Sequence, residues 1–326
     1  MQGSLDAWNV KAALDWTTGY LGRKGDEHPR LSAEWLLSEA CGMRRVDLYV
    51  DFDRVLSMDE RDTLRDYVRR RAAGEPLQYI TGEVAFRHIM VKVAHGVLIP
   101  RPETEVLVSE ALSLLAPLKR RCAIDSLGEE ERAAVLSRRA DGSSCGEAAR
   151  GEAAVADICT GSGCIACSIA YERPDARVTA VDIAPDAVAL ARDNVFSLGL
   201  EGRVQVLQGD LAAPLDFAGS GAGSYDLVVS NPPYVPEDVM GRLPSEVADF
   251  EPRLALAGGD DGLDVFRRLV RQAAALLKPG GGFACELHEG HLDHAAVLAS
   301  EAGFEQVRIV DDLAGRPRVL TARMPR

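Results

Sequence analysis

Residues 157–163 read Asp-Ile-Cys-Thr-Gly-Ser-Gly and stand at the end of a short apolar run that begins at Val155. Such a run predicts a buried β-strand. Gly161 and Gly163 permit a tight turn and let a ligand approach the main chain closely. A helix is predicted to begin directly afterwards, so its first N–H groups would face the same ligand. This order of strand, glycine turn and helix predicts the first unit of a nucleotide-binding sheet.

Predicted strands and helices alternate from Ala153 to the end of the chain. The predicted strands are Val155–Ile158, Arg177–Val181, Val204–Gln208, Leu227–Ser230, Gly282–Glu286, Val307–Val310 and Val319–Arg323. The predicted helices are approximately Cys164–Glu172, Pro185–Leu198, Leu263–Leu277 and Leu292–Ala302. The alternation predicts an α/β fold with a mostly parallel seven-stranded sheet and helices on both faces. We expect the last strand to be an antiparallel edge strand.

Acidic residues stand at the ends of the second and third predicted strands. Asp182 follows Gly163 by nineteen residues, and its carboxylate can accept both hydrogens of a ribose diol. Asp210 could meet an adenine amino group. At this point the ligand could be NAD or S-adenosylmethionine, although Ala166 breaks the usual G-x-G-x-x-G spacing of dinucleotide sites.

The fourth predicted strand ends in Asn231-Pro232-Pro233-Tyr234. Two prolines end a strand because neither donates a main-chain hydrogen bond. A planar NH2 group needs two acceptors, which the Asn231 side chain and the Pro232 carbonyl can supply, while the Tyr234 ring covers its flat face. The simpler interpretation is a strand that ends in a turn. A dehydrogenase has no evident use for these residues, whereas a methyltransferase acting on an NH2 group does.

Composition limits the possible partners and the compartment. The 326 residues carry a net charge of −13, which argues against broad binding to phosphate backbones. Seven scattered cysteines suit a reducing compartment, and neither a signal peptide nor an apolar run of membrane length is evident, so we expect a cytoplasmic protein. We predict no metal site, because Cys164 and Cys167 form a single Cys-x-x-Cys and the sequence offers no second pair of ligands to complete a zinc site.

The chain resembles the PrmC/HemK family, the release-factor glutamine N5-methyltransferases of the class I, Rossmann-like type. The stretches that carry the resemblance are residues 74–82, 98–105, 181–187, 230–235 and 250–252. The most family-specific of them is Leu-Ile-Pro-Arg-Pro-Glu-Thr-Glu at 98–105. The resemblance implies that S-adenosylmethionine is the methyl donor and S-adenosylhomocysteine the product. It also implies that the acceptor is the Gln of the Gly-Gly-Gln motif in class I peptide release factors.

The resemblance also implies a division of the chain and a set of site residues. A small N-terminal helical, substrate-binding domain would span 1–80, a linker hairpin 81–100 and the methyltransferase domain 101–326, with 117–152 as an inserted flexible loop. The residues assigned to catalysis are Asn231, Pro232 and Tyr234. The residues assigned to the cofactor are Cys159, Thr160, Gly161, Ser162, Gly163, Asp182, Asp210, Leu211 and Asn231. The residues assigned to the substrate are Asn231, Pro232, Pro233, Tyr234, Arg101 and Glu103.

Three departures from the family pattern and two competing functions accompany this assignment. Cys159 stands where the family usually has Gly, and a Cβ is tolerated there if the residue keeps a negative φ. The 117–152 segment is longer than the family's usual link to the first strand of the sheet, and it falls at a predicted loop, so we expect it to leave the site intact. His288 stands where the family often has Gly. The first competing function is a DNA or RNA amino-group (adenine N6) methyltransferase, which would share Asn-Pro-Pro-Tyr but calls for a basic binding face. The second is a binding module that has lost catalysis. We expect a monomer that binds release factors, without direct nucleic-acid or membrane binding.

Overall fold

The computed structural model describes residues 8–116, 152–215 and 223–326. They divide into two compact units. The N-terminal unit comprises the described residues of Met1–Pro100 and Pro233–Gly262, and the sheet unit comprises those of Arg101–Pro232 and Leu263–Arg326.

Helices and strands cover most of the described residues. The helices are α1 (Val10–Arg23), α2 (Pro29–Cys41), α3 (Asp47–Val50), α4 (Met58–Ala72), α5 (Leu77–Thr81), α6 (Thr104–Leu114), α7 (Cys164–Glu172), α8 (Pro185–Ser197), α9 (Glu237–Met240), α10 (Ser245–Ala248), α11 (Arg253–Leu256), α12 (Asp264–Leu276) and α13 (Leu292–Glu301). The strands are β1 (Glu83–Phe86), β2 (Ile89–Lys92), β3 (Ala153–Ile158), β4 (Ala176–Asp182), β5 (Val204–Gln208), β6 (Tyr225–Ser230), β7 (Leu277–Glu286), β8 (Glu305–Asp311) and β9 (Pro317–Arg323).

Helices α1, α2 and α4 of the N-terminal unit enclose an apolar core. Their apolar residues recur at helical spacing, and Leu14, Leu36 and Leu64 are among the buried side chains. A capping box begins α4, because Ser57 Oγ accepts from the Glu60 N–H at 3.2 Å and Glu60 Oε2 accepts from the Ser57 N–H at 2.7 Å. The predicted helical N-terminal region is therefore confirmed as helical.

The chain that follows Asn-Pro-Pro also belongs to the N-terminal unit. Phe250 packs against the buried side chains of Tyr79, Val93 and Ile99. Arg71 of α4 pairs with Glu246 of α10 at 2.5 Å, and its side chain is only 12% exposed. These contacts fix the segment 233–262 within this unit.

The sheet unit is a seven-stranded sheet in the order β5-β4-β3-β6-β7-β9-β8. Strands β5, β4, β3, β6 and β7 run parallel, and β9 pairs antiparallel with both of its neighbours. The central strands β3 and β6 are nearly continuous apolar runs, because helices cover both faces of such a sheet. The predicted α/β class with a mostly parallel seven-stranded sheet is confirmed.

The predicted place of the last strand is wrong. Strand β9 is antiparallel as expected, but it lies between β7 and β8, where Leu320 pairs with Cys285 on one side and Ile309 on the other. The burial of the strands gives the reason. Residues 319–322 are buried, whereas no residue of β8 is buried, and an exposed, charged strand is the one that suits a sheet edge.

Two other predictions concern the linker and the inserted loop. The hairpin of β1 and β2 lies within the predicted linker 81–100. Of the predicted inserted loop 117–152, all but Glu152 lies outside the described residues. Among the described helices, none is both long and apolar enough to cross a membrane.

Candidate active site

The order of the strands brings the predicted cofactor residues together at the carboxyl-terminal ends of the parallel strands. The turn after β3, Asp182 at the end of β4, Asp210 after β5 and Asn231 after β6 all follow the carboxyl ends of parallel strands. The chain progresses from β3 to β4 and β5 on one side and returns to β6 on the other side of β3. Ligands of open α/β sheets bind at such a reversal of strand order.

The glycine turn has the conformation that the sequence predicts. Gly161 and Gly163 have φ of 56° and 80°, which is the left-handed region that favours glycine. A Cβ at Gly163 would lie 3.1 Å from the Cβ of Ala191, so the turn also approaches α8 closely. A Cβ at Gly161 would meet no described atom within 4 Å, which leaves room for a ligand beside the main chain.

Cys159 does not have the negative φ under which a Cβ was expected to be tolerated at this position. Its φ is +61° rather than negative, and its side chain is half-buried. The turn imposes this conformation, because the Thr160 N–H donates to the Val181 carbonyl at 3.0 Å and the Gly161 N–H donates to Asp182 at 2.8 Å. A residue with a Cβ costs about 1–2 kcal/mol in the left-handed region.

We expect Cys159→Val to lower the free energy of unfolding further, by roughly 0.5–3 kcal/mol, because a β-branched side chain is tolerated less well at positive φ than the unbranched Cys. Cys159→Gly is the matched variant. It relieves the strain and is expected to be at least as stable as the parent protein. Urea unfolding of the three proteins measures the difference. Equal midpoints for Cys159→Val and the parent would contradict the left-handed conformation.

Asp157 is a site residue that the sequence reasoning did not assign. The side chain is fully buried, and its Oδ2 accepts from Thr160 Oγ1 at 2.5 Å and from the Ala166 N–H at 3.1 Å. The carboxyl group therefore ties the glycine turn to the first turn of α7. Burial raises the pKa of Asp157 from 3.8 to about 7. An acidic residue within an otherwise apolar strand end was the signal that could have identified it.

The raised pKa of Asp157 predicts how stability depends on pH. The folded protein holds a proton at this carboxyl group that the unfolded chain loses above pH 3.8, so stability falls as pH rises toward 7 and then levels off. Asp157→Asn removes this ionisation. We expect the unfolding free energy of the parent, measured relative to that of Asp157→Asn, to fall by roughly 2–3 kcal/mol between about pH 5 and pH 8. Urea unfolding at several pH values tests this, and a constant difference would contradict it.

Asp182 faces the glycine turn at the end of β4. Its Oδ2 accepts from the Gly161 N–H at 2.8 Å, and its Oδ1 accepts from the Ala184 N–H at 3.0 Å. Burial raises the pKa of this carboxyl group above its usual value, while the main-chain N–H groups act in the opposite direction. Each carboxylate oxygen can accept a second hydrogen bond, so two hydroxyl groups could still be held.

Asp210 has a partner that sequence reasoning missed. Arg268 of α12 donates to Asp210 Oδ2 at 2.5 Å, and both side chains are about half exposed. A ligand amino group at Asp210 would therefore share this carboxylate with a guanidinium group. The neighbouring Leu211 is buried and has a φ of +51°. Gly209 permits this turn, because a Cβ there would lie 2.6 Å from the side chain of Pro214.

Asn231 directly follows β6 and is half-buried. Its Nδ2 donates to Oγ1 of Thr104 at 3.2 Å. Ser230 fixes the preceding residue, because its hydroxyl donates to the Ile158 carbonyl at 2.6 Å. Thr104 lies 127 residues away in sequence, within the 98–105 stretch, and sequence reasoning did not single it out.

The remaining predicted substrate residues differ in their surroundings. Pro232 is buried and ends the sheet-unit part of the motif, and Pro233 and Tyr234 begin the segment of the N-terminal unit. A Cβ at Gly258 would lie 2.7 Å from the Tyr234 backbone, so glycine is needed there for close packing. Arg101 is half-buried and Glu103 exposed.

The metal prediction stays a prediction. No group of three or more potential metal-ligating side chains occurs in the part of the chain that the structure describes.

A parallel sheet with a glycine turn after β3, carboxylates after β4 and β5 and Asn-Pro-Pro-Tyr after β6 defines an α/β methyltransferase. A family model of the PrmC N-terminal domain matches residues 12–82, and one of the methyltransferase small domain matches residues 147–242. The release factor glutamine methyltransferase of Geobacter sulfurreducens is 40% identical to this chain over 98% of both. That of Rhodopirellula baltica is 37% identical over 96% of both, and that of Moorella thermoacetica is 38% identical over 96% of this chain and 98% of its own. The chain belongs to the release factor glutamine methyltransferase family.

One solved structure that the chain resembles shows only a distant similarity. The ribosomal protein L11 methylase from Lactobacillus delbrueckii subsp. bulgaricus has a TM-score of 0.38 and 20% sequence identity, over 60% of this chain and 79% of that chain. The family assignment therefore rests on the sequence relatives.

Proposed function

We propose that this chain transfers a methyl group from S-adenosylmethionine to the side-chain amide nitrogen, N5, of the Gln in the Gly-Gly-Gln motif of class I peptide chain release factors. Membership of the family over nearly the whole chain supports this function. The observation that carries it is the carboxamide of Asn231 at the carboxyl end of β6. Its Nδ2 is held by Thr104, so its Oδ1 remains as an acceptor for the N–H of a planar amide.

The residues at the carboxyl-terminal ends of the parallel strands suit S-adenosylmethionine. The open space beside Gly161 admits a ligand to the main chain, the first turn of α7 supplies N–H groups, and the Asp182 carboxylate can accept two ribose hydroxyl groups. The residues proposed to hold the cofactor are Cys159, Thr160, Gly161, Ser162, Gly163, Asp182, Asp210, Leu211 and Asn231. The side chains of Thr160 and Ser162 are buried, so these two would contribute through their main chain.

When bound, S-adenosylmethionine supplies an electrophilic methyl group and leaves as the neutral thioether S-adenosylhomocysteine. The nitrogen–carbon bond forms as the sulfur–carbon bond breaks, and the sulfur keeps the electron pair. Asn231 Oδ1 and the Pro232 carbonyl would hold the two N–H bonds of the substrate, and Tyr234 would cover the amide plane. This alignment of the reacting atoms is worth roughly 7–11 kcal/mol in well-oriented systems. The surplus proton then passes from the methylated nitrogen to water, so no strong base is needed.

Charge favours a protein substrate over a nucleic acid. The net charge is −13, and most of the arginines on α4 are neutralised within the chain itself. The pairs on α4 are Arg65–Asp62, Arg69–Asp66, Arg70–Glu75 and Arg71–Asp26. A protein that binds the phosphate backbone of a nucleic acid needs basic side chains that are not already paired with carboxylates. We further propose that Arg101 and Glu103 line the substrate entrance and that the protein acts as a cytoplasmic monomer.

Methyl transfer from labelled S-adenosylmethionine tests the choice of substrate. The acceptors are a class I release factor, its Gly-Gly-Gln Gln→Ala variant, bulk tRNA, rRNA and DNA. We expect label on the intact release factor and background on all other acceptors. Label on nucleic acid alone would replace this function with that of an amino-group methyltransferase acting on adenine or cytosine.

A further inference from the structure

Within the sheet unit, the side-chain carboxamide of Asn231 hydrogen-bonds to the hydroxyl of Thr104. We propose that Thr104 is a positioning residue, whose hydroxyl holds the Asn231 side chain with Oδ1 directed to the substrate amide. The inference rests on the proposed function, because it assigns Asn231 Oδ1 as an acceptor of the substrate N–H.

An asparagine side chain can present either of its two ends. Oδ1 is an acceptor, whereas Nδ2 carries two donors. The substrate amide nitrogen also carries two N–H donors, so a rotated Asn231 would set donor against donor. A partner that accepts from Nδ2 selects the productive orientation, and Thr104 Oγ1 accepts from Nδ2 at 3.2 Å.

The Thr104 side chain is itself held in a fixed position, so it can orient the Asn231 side chain. It is the first residue of α6 and only 3% exposed, and its N–H donates to the Arg101 carbonyl at 3.1 Å. Helix α6 packs against β6 and β7 through an apolar face that includes the buried Leu107 and Val108. A β-branched threonine side chain has few rotamers in such surroundings. The position of the hydroxyl is therefore set by the same sheet that carries Asn231.

Two substitutions at position 104 separate orientation from packing. Thr104→Val keeps the shape and removes the hydroxyl, whereas Thr104→Ser keeps the hydroxyl and removes the methyl group. We expect Thr104→Val to lower kcat for release factor methylation by roughly 5- to 10-fold, the effect of one lost hydrogen bond. We expect Thr104→Ser to stay within about twofold of the parent, and the cofactor Kd and the release factor KM to be nearly unchanged in both variants.

Thr321 supplies a matched control. It is buried in β9, and its hydroxyl has no hydrogen-bond partner among the residues that the structure describes. Thr321→Val therefore makes the same chemical change without removing a partner, and we expect kcat to stay at the parent value. Thermal unfolding of each variant confirms that it is folded at the assay temperature. If Thr104→Val is unfolded there, Thr104→Ala takes its place as the variant without a hydroxyl.

The pattern of the two variants decides the inference. A loss in Thr104→Val with an active Thr104→Ser supports it. An active Thr104→Val, or equal losses in both variants, would overturn it, because either result assigns Thr104 to packing. A parent enzyme that fails to label the release factor would instead overturn the proposed function, and the inference would fall with it.

Discussion

Asn231→Ala is expected to lower kcat for release factor methylation about 10³-fold, the scale seen when one preorganised polar group of an active site is removed. The side chain would supply one of the two acceptors that align the substrate amide, and alanine supplies none. The cofactor Kd is expected to change by less than about tenfold, because Asp182 and the glycine turn would remain. Single-turnover methylation and equilibrium cofactor binding measure the two effects separately.

Asn231→Asp is the informative companion of Asn231→Ala. The carboxylate keeps an acceptor oxygen at either end, so we expect this variant to retain more activity than Asn231→Ala. An Asn231→Ala protein with the kcat of the parent would show that Asn231 does not hold the substrate. The assignment of roles at the carboxyl end of β6 would then be wrong.

Asp182→Ala is expected to weaken cofactor binding by roughly 10- to 100-fold, since hydrogen bonds to a charged group contribute about 1.5–3 kcal/mol. The carboxylate would hold the two ribose hydroxyl groups. Calorimetric titration with S-adenosylmethionine measures the loss. Asp186→Ala is the matched control, because Asp186 is an exposed carboxylate in the first turn of α8 and is expected to leave the Kd unchanged.

A second measurement on Asp182→Ala separates binding from folding. Burial raises the pKa of Asp182, so the ionised group is held at a cost in the protein without ligand. Its removal also releases the Gly161 N–H, and we expect these effects to offset each other with little change in unfolding temperature. Unchanged cofactor affinity would contradict the ribose role. A large drop in unfolding temperature would show that any loss of cofactor affinity comes from a disrupted turn rather than from missing contacts to the ribose.

Local patterns in the sequence predicted the elements that carry the site. The strand before the glycine turn, helix α7 and the strand before Asn231 all occur where apolar runs and breakers indicated them. The sheet order was harder, because hydrophobic pattern says which strand is buried but not which neighbour it pairs with. The prediction of an edge position for β9 failed for that reason. Strand β9 is the last strand in the chain, yet it lies between β7 and β8.

Contacts distant in sequence account for what the site analysis missed. Thr104 meets Asn231 across 127 residues, and Arg268 meets Asp210 across 58 residues. No local pattern encodes either pair. The positive φ of Cys159 likewise depends on hydrogen bonds between the turn and the end of β4, which only the folded sheet supplies. The family resemblance flagged this position because glycine is usual there.

The most direct test of the account is the position of the methyl group on the product. Tandem mass spectrometry of a release factor incubated with the enzyme and S-adenosylmethionine would locate it. The account predicts one methyl group on the side-chain amide nitrogen of the Gly-Gly-Gln glutamine, formed by the parent enzyme and lost with Asn231→Ala. A methyl group on any other residue, or an unchanged yield from Asn231→Ala, would contradict it.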